Sequence, residues 1–159
     1  MTALPAGKRA AVKKTLVLLL TAFFIATRFV SFVFVSGPSM LPYFSNGDIV
    51  IYNKTAAAKD IRRGSVAVVK VNRMLLIKRI VAVPGDSVRI SDGILFINGM
   101  PEEENHPPIE DPGTASETIE LGDNEFYILG DNRNDSADSR IFGPILRKQI
   151  RGIVIGKFP

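Results

Sequence analysis

The chain has 159 residues, enough for one domain with a core of its own. Its formal net charge of +4 is concentrated at one end: Lys8, Arg9, Lys13, Lys14 and Arg28 fall in the first 35 residues with no acid, and the remaining 15 basic and 16 acidic residues nearly cancel. That distribution argues against a nucleic-acid-binding face, and the absence of cysteine excludes disulfides, thiol catalysis and Cys-type zinc sites.

Residues 15–27 (TLVLLLTAFFIAT) are uncharged and mostly apolar, and Arg28 and a second apolar run, 29–35, follow. Thirteen helical residues span about 20 Å, short of the roughly 30 Å hydrocarbon core of a bilayer. Snorkelling of Lys13 and Lys14 back to the headgroups extends this to a short transmembrane span, with Arg28 at the far interface. A cleavable signal peptide also fits the basic start and the apolar run, but no clear A-x-A site follows it. An uncleaved anchor is the favoured reading. The basic, acid-free start places the N-terminus in the cytoplasm and everything after about residue 30 outside.

Beyond the anchor the pattern is β. Short runs of Val, Ile and Phe alternate with Gly-Asp or Asn-Gly turns. Strands are predicted at 48–53, 65–71, 74–83, 87–90, 94–97, 118–120, 125–129 and 152–157. Ser91-Asp92-Gly93 and Val71-Asn72-Arg73-Met74 read as hairpin connections. Residues 56–63 read as one helical turn or a connection. The Pro-rich acidic stretch 100–117 is predicted to be an exposed, mobile loop.

Ser39 follows the anchor in Ser36-Gly37-Pro38-Ser39-Met40-Leu41-Pro42, a Gly/Pro turn suited to present a nucleophile. The lone histidine, His106, lies in the Pro-rich stretch and is a poor candidate for a base that must be held within hydrogen-bond reach. Glu102, Glu103 and Glu104 read as a solvated charge run, so no metal site is expected. A lysine remains, but at its ordinary pKa it is protonated and must be desolvated to act as a base. Lys78 lies in an apolar strand and shares its face with Met74, Leu76, Ile80 and Ala82, while Arg79 points the other way. Lys70 is the competing candidate. Residues 130–140 form a polar run with three aspartates, two arginines and two serines. That mixture suits an internally paired scaffold, and a serine there could bond Lys78 and orient it.

Together these residues resemble the type I signal peptidases, membrane-anchored Ser/Lys endopeptidases, over about residues 14–157. Four blocks carry the resemblance: Ser-Gly-x-Ser-Met-x-Pro at 36–42, Gly-Asp-Ile-Val at 47–50, Lys-Arg-Ile-Val-Ala-Val-Pro-Gly-Asp at 78–86 and Gly-Asp-Asn-Arg-x-x-Ser-x-Asp-Ser-Arg at 130–140. The last joined to the third is highly specific. The resemblance implies Ser39 as nucleophile, Lys78 as general base, Ser136 as the serine that orients the lysine, Asp138 and Arg140 as a supporting ion pair, and Met40 and Gly37 at the oxyanion hole and substrate cleft. Some family members carry a serine where Gly37 stands here. Asn134-Asp135 reverses a common Asp-Asn order, with little effect expected.

The implied fold is mainly β: an antiparallel β catalytic domain with one N-terminal transmembrane helix. The implied division is a cytoplasmic basic N-terminus (1–14), an anchor and exit segment (15–35) and an extracytoplasmic peptidase domain (36–159), in a single-pass plasma-membrane protein. The implied activity is removal of signal peptides from exported preproteins with small residues at −1 and −3, without a cofactor or nucleic acid. The alternatives are a peptidase dedicated to one partner, such as a pilin or conjugation protein, and an idle membrane-tethered peptide-binding module. The self-cleaving repressors share the Ser/Lys chemistry, but this chain has no room for their helix-turn-helix.

Overall fold

A computed structural model describes residues 6–55, 61–102 and 106–159. The first element, α1 (Ala6–Phe29), carries the apolar run. Two of its threonines bond back within the helix: Thr21 Oγ1 donates to the Val17 carbonyl at 2.8 Å and Thr27 Oγ1 to that of Phe24 at 2.9 Å. Val12, Leu16, Leu20, Phe23 and Phe24 are all exposed, so these apolar side chains of α1 lie unpacked. Among the described residues, no helix is long and apolar enough to cross a membrane, so the expected transmembrane helix is not among the observed features.

The rest of the chain is antiparallel β. Seven strands form the main sheet: β1 (Val30–Phe34), β2 (Ile49–Asn53), β3 (Val66–Val71), β4 (Met74–Ala82), β9 (Glu125–Leu129), β10 (Ile145–Leu146) and β11 (Ile150–Phe158). Their order is β1-β2-β11-β3-β4-β9-β10. A smaller sheet of β5 (Ser87–Ser91), β6 (Ile94–Ile97), β7 (Met100–Pro101) and β8 (Ile119–Glu120) has the order β7-β6-β5-β8. A single helical turn, α2 (Ser139–Phe142), follows β9. The eight predicted strands correspond to β2–β6, β8, β9 and β11. Two-residue turns with positive φ at both positions close the β3–β4 hairpin (Asn72, Arg73) and the β5–β6 hairpin (Asp92, Gly93), as the sequence indicated.

Two parts of the sequence reading are corrected. Residues 30–34 were grouped with the anchor's apolar exit, but they pair along their length with β2, from Val30 opposite Asn53 to Phe34 opposite Ile49. Their alternation of exposed and half-buried positions is that of an edge strand. Nor is the Pro-rich stretch a loose loop: Ile109 and Ala115 are buried in the core beneath the small sheet, and Gly113–Ser116 form a short 3₁₀ turn. The proposed turn or connection at 56–63 lies largely outside the described residues, as do Glu103 and Glu104.

Strands β3, β4 and β9 are central, and a core forms on each side of them. One is built around Val81, Val88, Leu95, Tyr127 and Leu129 beneath the small sheet, and the other around Val69, Ile80, Phe126, Ile128 and Ile145. A third cluster, of Val35, Met40, Phe44, Val50 and Val66, ties the Ser39 turn to β2 and β3.

Phe126→Ala, at a position 1% exposed, is expected to cost about 3–5 kcal/mol of stability. Ile94→Ala, at a position 45% exposed, is expected to stay within about 0.5 kcal/mol. Urea unfolding of the detergent-solubilised chain measures both.

Candidate active site

Ser39 sits in the turn after β1, and the burial of Met40 and Phe44 pins that turn to the core. Lys78 lies in β4 opposite Ala67 of β3, so its side chain emerges inside the sheet and is only 3% exposed. The two meet: Lys78 Nζ is 2.6 Å from Ser39 Oγ. Lys70 does not compete, since its side chain is exposed to solvent on β3. His106 lines a separate groove with Asp92 and Glu102. Among the described residues, no cluster of His, Asp and Glu is placed to hold a metal.

Burial pushes the Lys78 amine below its ordinary value, and the carboxylates of Asp138 and then Asp131 oppose the shift. Both carboxylates are paired with arginines. Asp138, fully buried, accepts from Arg140 Nε and Nη2 at 2.8 Å each and from the Gly130 N–H at 3.0 Å. Burial alone would raise the Asp138 carboxyl, but these bonds outweigh it and hold it below the usual carboxylate range. Asp131 accepts from Arg79 Nε and Nη2 at 2.7 Å each. Lys78 and Arg79 are adjacent on β4, and alternation sends them to opposite faces.

Sequence reasoning missed this second pair and the clasp it supports. The Asn132 N–H donates to the Ser39 carbonyl at 3.1 Å and Asn132 Nδ2 to the Pro38 carbonyl at 3.3 Å. Gly130 makes the approach possible, because a Cβ there would lie 2.2 Å from Ser136 Oγ and 2.5 Å from the Ser39 carbonyl. Lys78 thus meets Ser39 on one face of β4, while Arg79, through Asp131 and Asn132, holds the same turn from behind. The adjacency of Lys78 and Arg79 was the available signal, but Arg79 and Asp131 are 52 positions apart and nothing local links them.

The other expected site residues fall nearby. Met40 and Lys78 line a shallow cleft of about 80 Å³ together with Val33, Val35, Ser39 and Ile77. A larger groove, about 370 Å³, lies on the small sheet around Arg89 and Phe96 and includes none of these side chains. The Gly37 N–H is taken by Asn46 Oδ1 at 3.1 Å, which leaves it unsuited as a free oxyanion donor. The Ser39 N–H has no hydrogen-bond partner among the described residues. Ser136 Oγ is buried beside Gly130 and makes no hydrogen bond to Lys78. It lies close enough to Asp138 to favour the ionised carboxylate.

Comparison with known proteins bears on the family and the fold. A family model described as "Signal peptidase, peptidase S26" matches residues 8–158. A probable signal peptidase I-2 of Synechocystis is 35% identical over 115 residues, covering 70% of this chain and 47% of that protein. Signal peptidase I V of Bacillus subtilis is 31% identical over 135 residues, covering 76% of this chain and 80% of that protein. The chain therefore spans about half the length of some relatives and about four fifths of others. A signal peptidase I structure from Enterococcus faecalis superposes with a TM-score of 0.51 at 23% identity, covering 59% of this chain and 96% of that one. At that identity the likeness speaks for the fold.

The depressed Lys78 value has a consequence for stability. The folded lysine binds its proton less tightly than the unfolded one, so burial costs stability at low and neutral pH. The cost falls as pH rises from the folded value towards 10.5. Lys78→Met is accordingly expected to unfold at higher urea than wild type at pH 7, with the advantage fading as pH approaches 10.5. An equal advantage at all pH values would contradict the desolvation account.

Proposed function

As the chain belongs to the signal peptidase, peptidase S26 family, we propose that it is a serine endopeptidase that removes signal peptides from exported preproteins with Ser39 as nucleophile and Lys78 as general base. The observation that carries this reading is the 2.6 Å contact between a buried lysine and a serine at the floor of a cleft. Neutral Lys78 accepts the Ser39 proton as Oγ attacks the scissile carbonyl. The Ser39 N–H donates to the developing oxyanion, and Lys78 returns the proton to the departing amine. Water then enters and gives a proton to Lys78 as its oxygen attacks the ester carbonyl. The bond to Ser39 Oγ breaks, and Lys78 returns that proton to Oγ, which releases the acid and restores the neutral lysine. Asp138 with Arg140, and Asp131 with Arg79, hold the site in shape and keep net negative charge near the lysine small. Ser136 serves as an orienting residue if its hydroxyl turns towards Lys78 when substrate binds.

The cleft supports a preference for small residues at −1 and −3. It holds only about 80 Å³, and Val33, Val35, Met40 and Ile77 wall it with apolar side chains. Membrane attachment is supported by the unpacked apolar surface of α1, which continues to exposed Phe29, Phe32 and Phe34. In this reading residues 1–14 stay in the cytoplasm and α1 anchors the chain, with Lys13, Lys14 and Arg28 snorkelling to the two interfaces. The sheet domain from Val30 onward then lies outside, with its cleft beside the bilayer.

The test is cleavage of a preprotein by the full chain purified in detergent. Ser39→Ala, Lys78→Ala and Lys78→Arg are each expected to lower kcat by about 10³-fold or more, because arginine remains charged and cannot accept the proton. The rate at subsaturating substrate should rise with pH through a limb set by Lys78, below the ordinary lysine value. Full activity in Lys78→Ala, or cleavage outside the signal sequence, sinks the proposal.

A further inference from the structure

The Pro-rich strap is joined to the 130–140 segment by a contact that the mechanism above does not use. The carboxamide of Asn134 engages it twice. Its Oδ1 accepts from the Glu110 N–H at 3.1 Å, and its Nδ2 donates to the Pro108 carbonyl at 3.1 Å. The amide thus pairs with the backbone as a neighbouring strand would. On its other side the strap is bonded to the small sheet, with the Ile109 N–H donating to the Gly93 carbonyl at 2.9 Å.

A few residues on, the same strap grips the turn that carries the Asp138–Arg140 pair. Thr114 Oγ1 donates to the Ser139 carbonyl at 2.9 Å and meets the Tyr127 hydroxyl at 3.0 Å. Arg140 Nη1 donates to the Asp111 carbonyl at 3.4 Å. Gly113 packs so tightly that a Cβ there would lie 2.3 Å from the Arg140 carbonyl oxygen. The strap is therefore held by Asn134 at one end and holds Arg140 at the other.

We infer that Asn134 is a positioning residue for the reaction: its carboxamide locks the strap, the strap fixes Arg140 against Asp138, and that pair sets the charge balance around Lys78. The link to catalysis rests on the Ser39–Lys78 reading above; the mechanical link does not. The charged groups that act on the Lys78 amine are Asp138, Asp131 and Arg140. Arg79 already neutralises Asp131, so Arg140 is the group whose displacement changes the balance. With Arg140 loosened, Asp138 is less compensated and favours protonated Lys78 more strongly. Asn134, noted in the sequence only as part of an Asn134-Asp135 order with little effect expected, acquires a role.

The experiment uses the full chain in detergent, wild type against Asn134→Ala and, independently, Thr114→Val. Hydrogen exchange of the strap peptide 106–116 reports the lock. The ¹³Cε shift of Lys78, assigned by its loss in Lys78→Arg, reports the amine. Both variants are expected to speed strap exchange about tenfold and to move the Lys78 midpoint up by about 0.5 unit, a threefold fall in neutral amine below the midpoint. On a signal-peptide substrate, kcat should fall by that factor at pH values below the Lys78 midpoint and recover above it, with KM unchanged. Unchanged strap exchange, or faster exchange with an unmoved Lys78 midpoint, overturns the inference. If wild type cleaves no signal peptide, the functional proposal fails, and the exchange and Lys78 readouts still decide this one.

Discussion

A lysine amine acts as a base only where its surroundings disfavour the charged form, and the chief such influence on Lys78 is the removal of water, which is unfavourable for the folded chain. The constraint falls on Lys78, 3% exposed, with its Nζ against Ser39 Oγ. Much of the surrounding architecture follows from it. The lysine must leave a central strand, and β4 lies between β3 and β9 with packed residues on both faces. The serine must be brought to it by a turn that cannot drift. Burial of Met40 and Phe44 and the Asn132 clasp supply that rigidity.

Electrostatics sets a second requirement. A bare carboxylate beside the buried amine would draw it back to the protonated form. Two aspartates approach Lys78, and each is matched by its own arginine. The pairing lets the carboxylates serve as hydrogen-bond anchors for Gly130 and for the 130–132 loop while limiting their pull on the lysine. Breaking either pair would disturb the geometry of the serine turn and the proton affinity of the amine together.

The strands were legible because β-branched runs alternate with turn dipeptides, and Lys78 was legible because a single cation interrupts an apolar period-two pattern. The Asp138–Arg140 pair, only two positions apart, was also within reach of a local reading. The edge strand Val30–Phe34 was not. It continues the apolar run of α1 without a break, and its role appears only in its pairing with β2. The burial of Ile109 and Ala115 was likewise hidden, since Pro-rich acidic composition describes the strap's exposed residues and is silent about the two that enter the core. The Arg79–Asp131 and Asn132–Ser39 contacts join residues 52 and 93 positions apart, beyond any local pattern. The Ser136 hydroxyl lies in the expected block but makes no bond to the lysine, because rotamer choice is not written in spacing.

The most direct measurement is a rapid acid quench of the full chain during turnover of a signal-peptide substrate, followed by mass spectrometry of the peptide that contains Ser39. The account predicts the N-terminal fragment of the substrate esterified to Ser39 in wild type and no such adduct in Lys78→Met. An adduct on a different residue, or equal acylation of Ser39 without Lys78, would contradict it.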